Sequence, residues 1–276
     1  MEDPFKHNTP PPENRPSEKD VAWEARQPLH VKKDFFDFQL QFAQILSKKA
    51  DVPLVDIIAS ATSELRKNAF NHDEYKMLGI KDGVTEENIA DFAYEEYLKS
   101  VRVQPVEYHP EGSERFGCFY YDQDSNEPST IRIHFTNNEF DTVSPLDQTK
   151  IQAREKELKD VLNDIKLKFP ETQKIHGESW LVNLPAFMRL LPDSMKNNAV
   201  IDERRMQWAR GTTIWGQFID SQYNLKQDLA QELLERAKEL PKDAHMSELF
   251  KNGSRILPPL ATQAPISDFY AMYGVE

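Results

Sequence analysis

The feature that most limits what this chain can fold into is a change of apolar period partway along it. From Asp34 onward, Phe35, Phe38, Phe42 and Ile45 recur every three or four residues, the stripe of an amphipathic helix. Asp51-Val52-Pro53 interrupts the stripe, which resumes with Leu54, Ile57, Ile58, Ala61 and Leu65, so a short turn should join two antiparallel helices. A third helix is expected from near Thr85, as its N-cap, carrying Ile89, Phe92 and Leu98. After Gln104-Pro105 the spacing turns to alternation. "RFGCFYYD" and "STIRIHFTN" flank the turn-rich "QDSNEP", the pattern of a β-hairpin. In its second strand Ile131, Ile133 and Phe135 share one face, and Arg132, His134 and Thr136 share the other.

Ser144-Pro145 opens the next helix, with Ser144 as cap, Pro145 in the first turn and Asp147 completing a capping-box-like arrangement. Leu158, Val161, Leu162, Ile165 and Phe169 form its stripe, and Pro170 ends it. An extended run beginning at Lys174 follows, so strand, helix and strand make a right-handed crossover with parallel neighbours. Asn183 is expected to cap a short helix with Pro185 just inside it. A further strand is expected over 212–220, "TTIWGQFID", before a helix with Leu225, Leu229 and Leu233 that stops at Pro241. The fold class is α+β: a helical N-terminal part packed with a mixed sheet flanked by helices, the sheet including the hairpin and the βαβ crossover. Four regions follow: a disordered Pro-rich arm over 1–20, helices over 21–104, the sheet region over 105–250, and a tail over 251–276. Phe269, Tyr270, Met272 and Tyr273 should dock that tail on the body.

Charge and cysteine usage narrow the partners. The 276 residues carry 34 Lys and Arg against 46 Asp and Glu, a formal net charge of -12, which repels nucleic acid and anionic lipid. Cys118 is the one cysteine, so neither an internal disulfide nor a thiolate zinc cluster can form, and a cytoplasmic home is expected. No run reaches the ~20 apolar residues of a membrane span. Phosphate loops, a Gly-x-Ser-x-Gly elbow and paired metal-ligand histidines are all missing, so no cofactor and no metal are expected.

Chemistry needs convergence, and the polar strand faces offer it. His176, Glu178 and Trp180 should share one face, as should Thr213, Trp215, Gln217 and Ile219 on the later strand. If those faces meet that of Arg132 and His134, a cleft results. In it His134 would act as base and Glu178 as acid, with Arg132, Trp180, Trp215 and Gln217 binding the ligand. The alternative for the two tryptophans is packing, with each indole N–H bonded to a nearby carbonyl.

With "DFQLQFAQIL", "RFGCFYYD", "IRIHFTNN", "SWLVNLPAFMRLLP", "WGQFID" and "APISDFYAMYGV", the chain resembles an uncharacterised bacterial family over most of 34–276. That likeness implies no activity. The stretch from Leu158 to Pro192 is also similar to the carboxy-terminal helper domain of some bacterial N-acyltransferases. Three functions are thereby expected: binding of a small ligand or protein partner through an aromatic cleft, acid–base catalysis on a small polar substrate, or an accessory role in acyl transfer. The aromatic tail suits a homodimer partner as well as its own chain.

Overall fold

The computed structural model describes residues 30–73, 76–103, 115–137, 139, 143–201, 214–242, 244 and 246–276. The expected arm over 1–20 and the start of the expected strand at 212–213 lie outside these residues. Three helices open the described chain: α1 (Lys33–Ala50), α2 (Leu54–Ala61) and α3 (Glu64–Ala69). Asp51 ends α1 in the left-handed region, where a short polar side chain is tolerated, and the turn sends α2 back along α1. Ser63 gives α3 no side-chain cap. Gln39, fully buried on α1, supplies one instead: its Oε1 accepts from the N–H groups of Ser63 and Leu65, at 2.9 and 3.2 Å. A two-stranded ribbon, β1 (Phe70–Asp73) with β2 (Lys76–Ile80), leads to α4 (Ile89–Val103). The helix begins four residues after Thr85, whose own N–H is held by the Asn88 side chain at 2.7 Å.

The second unit is a five-stranded mixed sheet in sequential strand order: β3 (Arg115–Phe116), β4 (Phe119–Gln123), β5 (Thr130–Phe135), β6 (Lys174–Ser179) and β7 (Leu260–Pro265). β4 and β5 form the expected antiparallel hairpin, and β6 lies parallel to β5. The crossover helix α5 (Ile151–Lys168) joins them. It starts later than Ser144-Pro145 implied. Ser144 Oγ instead holds a local turn at Leu146, and Asp147 caps a single 3-10 turn that feeds α5. After β6, short helices α6 (Pro185–Met188) and α7 (Asp193–Asn197) pack back toward the sheet.

Two corrections concern the end of the chain. The segment expected as a strand over 212–220 is, over its described residues, a 3-10 turn, Trp215–Phe218, followed by α8 (Gln227–Glu239). Ile214, Trp215 and Phe218 are buried in the core of α1 to α4, not against the sheet. The expected sheet region over 105–250 therefore divides, with its part from 214 onward belonging to the helical unit. The tail does dock, but as the edge strand β7 and then α9 (Ile266–Tyr273). Pro258 and Pro259 lie outside the ladder, and Pro265 ends it, where a missing N–H costs no bond.

Each unit has its own core. Phe35, Phe36, Phe38, Phe42, Ile58 and Leu65 are among the helical set, to which α8 contributes Ala230, Leu233 and Leu234. Trp215 is its centre, 1% exposed, meeting Phe35, Phe38 and Phe42 edge-on at ring separations of 6.3, 5.5 and 5.5 Å. In the other core the α5 stripe, Leu158, Val161, Leu162 and Ile165, covers Phe119, Tyr121, Ile131 and Ile175 from one side, with Phe269 of α9. Among the described residues, no helix is long and apolar enough to cross a membrane. Replacing Trp215 by Ala should cost about 3–5 kcal/mol of unfolding free energy in a urea titration, the range for emptying a packed aromatic site. A loss below about 1 kcal/mol would mean that the ring is a solvent-facing wall rather than the keystone of this core.

Candidate functional site

Strand alternation sends the odd-numbered residues of β4 and β5 into the α5 core and leaves the even-numbered ones on the opposite face. Register then sets neighbours: Asp122 lies opposite Arg132, Tyr120 opposite His134, Arg132 beside His176, and His176 beside Gln263. A polar row, Asp122, Arg132, His176 and Gln263, thus crosses four strands. His134 and Glu178 stand on the same face, since the β5–β6 register brings together two strand faces whose meeting the sequence pattern left open.

Asp122 organises the site. Its carboxylate accepts from Arg132 Nε at 2.8 Å and Nη2 at 2.6 Å, and lies 3.1 Å from His134 Nε2. A carboxylate only accepts, so Nε2 of His134 carries the hydrogen and Nδ1 keeps a lone pair while the ring is neutral. Tyr120 stacks on that ring, with centroids 4.6 Å apart and planes 14° from parallel. Burial alone would raise the Asp122 pKa, but the hydrogen bonds from His134 and then Arg132 outweigh it and hold the carboxyl below its ordinary range. All three side chains keep 35–36% of their surface in solvent, so the cluster is reachable.

The remaining expected residues do not join them. The strand ends at Ser179, whose hydroxyl caps a 3-10 turn, Trp180–Asn183, by accepting from the Leu181 N–H. Trp180 consequently leaves the face of His176 and Glu178. Its indole nitrogen is 3.4 Å from where a Cβ on Gly216 would sit, so Trp180 abuts the Trp215–Phe218 turn between the units. Trp215 is core, and its buried Nε1 has no carbonyl partner. Gln217 is buried too: its Nε2 donates to Leu257 O at 3.1 Å, and its Oε1 accepts from the Leu257 N–H at 2.8 Å. That exchange fixes the chain's exit from the helical unit. Asn183 does not cap α6, whose N-cap is Leu184. It bridges Trp180 O and Pro258 O. The expected aromatic cleft therefore does not form: a strand period was assigned to a turn whose buried apolar positions, 214, 215 and 218, follow helical spacing.

Sequence reasoning missed Asp122 and Tyr120. Their signal was the hairpin register, since fixing the turn places Asp122 across from Arg132. It also missed a second cluster, behind the sheet. Arg154 of α5, 2% exposed, donates to Cys118 Sγ, to Glu139 Oε1 at 2.6 Å and to Glu157 Oε1 at 2.7 Å, while Lys150 Nζ meets Glu139 Oε2 at 2.5 Å. Cys118, Glu139 and Glu157 present donor atoms within 4.8 Å of one another, a spacing that would suit a metal ion. The guanidinium already supplies the cation there. Glu157 Oε2 accepts the Cys118 N–H at 3.1 Å, and burial pushes the Glu157 carboxyl above its ordinary range despite that bond and Arg154. Gly117 completes the turn at φ +62°, and a Cβ there would lie 2.0 Å from Glu157 Oε1.

Two outcomes test this geometry. Arg154→Ala should cost about 3–5 kcal/mol, because two carboxylates lose their buried partner. A loss within about 1 kcal/mol in denaturant titration would show the cluster to be solvated. Asp122→Asn probes linkage. A depressed carboxyl contributes stability above its unfolded pKa of about 3.9 and loses it as pH falls through the folded value. The wild type should hold an advantage of about 0.5–1 kcal/mol at neutral pH, small because the pair is a third exposed. That advantage should vanish in the acid limb of a stability–pH profile, and a constant gap between the two proteins would contradict the assignment.

Compared with known proteins, the chain matches no family, no curated protein and no solved structure.

Proposed function

We propose that this protein binds a small polar ligand on the polar face of its mixed sheet, at Asp122, Arg132 and His134. One observation carries the reading: a single carboxylate orients both a guanidinium and an imidazole on an accessible face, so neither long side chain must be ordered when the ligand arrives. Tyr120 adds a flat aromatic wall behind the imidazole. His176 and Gln263 extend the polar row by one strand each, giving further groups that could contact a ligand larger than the triad. The buried thiol of Cys118, in no disulfide, accords with a reducing cytoplasmic setting.

Acid–base chemistry is a second reading, favoured by the Asp122–His134 contact. A carboxylate on one imidazole nitrogen sets the tautomer and leaves the other nitrogen as a base. In this version Asp122, rather than Glu178, is the partner of His134. On either reading the full-length chain should show a raised melting temperature with at least one compound from a panel of small polar metabolites. The stabilisation is about 2.7 kcal/mol at a hundredfold excess over Kd. Asp122→Asn should lose that response while keeping its fold. Compounds that stabilise wild type and variant equally, or none that stabilise either, would overturn the site. If a compound is consumed, loss of turnover in His134→Gln distinguishes catalysis from binding.

A further inference from the structure

We infer that the ligand of this face presents an oxyanion, a carboxylate or a phosphoryl group, and that it is held when His134 is protonated. The inference rests on the reading of Asp122, Arg132 and His134 as the binding site and adds the chemistry of the ligand.

The argument begins with charge. Asp122 is shared between Arg132 and His134, so with a neutral imidazole the three groups sum to zero, and with an imidazolium they sum to one positive charge. The surplus falls where a ligand can reach it. Arg132 engages Asp122 side-on through Nε and Nη2, which by the planar shape of the guanidinium turns Nη1 away from the carboxylate. His134 uses Nε2 on the same carboxylate, which leaves Nδ1 outward. Protonation changes Nδ1 from an acceptor into a donor. The outward N–H groups of one guanidinium and one imidazolium then suit the several acceptor oxygens of a carboxylate or phosphoryl group, where charge-assisted bonds are strongest.

The neighbours bear on this switch from each side. On β4, Tyr120 stacks flat against the ring. On β6, Lys174 is bound to Glu127 at 2.6 Å, His176 stands beside Arg132, and Glu178 brings a carboxylate. The formal net charge of -12 opposes anions at long range, so binding should be local and modest rather than steered from afar.

The test uses the full-length, isotopically labelled chain and two probes at constant ionic strength: sulfate, as the tetrahedral oxyanion, and acetate, as the carboxylate. Both stay largely ionised between about pH 5.5 and about pH 8, so any change in affinity reports the protein. Saturable shifts of the Arg132 Nε–H and His134 ring signals are expected with at least one probe at the lower pH, and the better probe identifies the ligand class. Affinity should be about tenfold or more higher at the lower pH than at the higher. His134→Gln should abolish the pH dependence, and Arg132→Gln should weaken binding about tenfold or more. Lys156→Gln, at an exposed position of α5 outside this face, should stay within about threefold of wild type. Should Arg132→Gln not fold, the wild-type pH series and His134→Gln still decide. Absence of saturable shifts with both probes, or equal affinity at the two pH values, overturns the inference. If neither anion binds but an uncharged compound stabilises the protein in an Asp122-dependent way, the oxyanion falls and the site stands. If nothing depends on Asp122, both fall.

Discussion

A guanidinium cannot be taken out of water without partners, and at Arg154 that requirement holds the sheet to its helix. The side chain collects acceptors from two places distant in sequence, the turn at Cys118 and Glu139, and from Glu157 one helical turn further along α5. Lys150 joins through Glu139, so two cations face two carboxylates. The hydrophobic contact between α5 and the strands is non-directional and could slide. The guanidinium fork cannot, and it fixes where the β3–β4 turn sits on α5.

That fixation reaches the far face. With Phe119, Tyr121, Ile131 and Ile175 committed to the α5 side, Tyr120, Asp122, Arg132, His134 and His176 have nowhere else to point. The polar cluster follows from the core's own alternation, and Asp122 turns a row of polar residues into an oriented one. Two charged clusters therefore lie on opposite sides of one hairpin. The buried one is nearly shut to solvent, and the accessible one retains outward N–H groups.

Much of this was legible in sequence wherever periodicity alone decided the outcome. The α1–α2 pair, the β4–β5 hairpin, the parallel crossover through α5 and the shared face of Arg132 and His134 all follow from spacing of 3.6 or 2, whereas putting Glu178 on that face takes the β5–β6 register. What spacing could not say is which core a segment joins. Trp215 lies in a run that reads as apolar in either period, and only packing against Phe35, Phe38 and Phe42, more than 170 residues earlier in sequence, settles it. Trp180 was misplaced because Ser179, a cap once the chain bends, looks like an ordinary strand residue while it is extended. β7 was hidden by its prolines, which an edge strand accepts and an inner one does not. Asp122 needed the hairpin's register, which depends on the turn between Gln123 and Thr130 rather than on the strands.

The chain crosses between its two cores and back again. Helical-core residues run from Val31 to Tyr97 and again from Ile214 to Ile256, while sheet-core residues run from Phe116 to Ala199 and again from Leu260 to Val275. Lys49 Nζ reaches Leu240 O across 191 positions to tie the two halves of the first set together. Neither unit is a contiguous piece of chain, so neither can be excised with one cut. Their assembly is linked as well: closing the helical core requires looping out the hairpin and crossover, and completing the sheet requires the chain to have passed through the helices twice. Such closures of long loops are slow relative to local helix formation. The hairpin and crossover draw their strand pairings from one continuous stretch, Arg115 to Ser179, and their early formation would shorten the loop that α1 and α8 must span before they can meet.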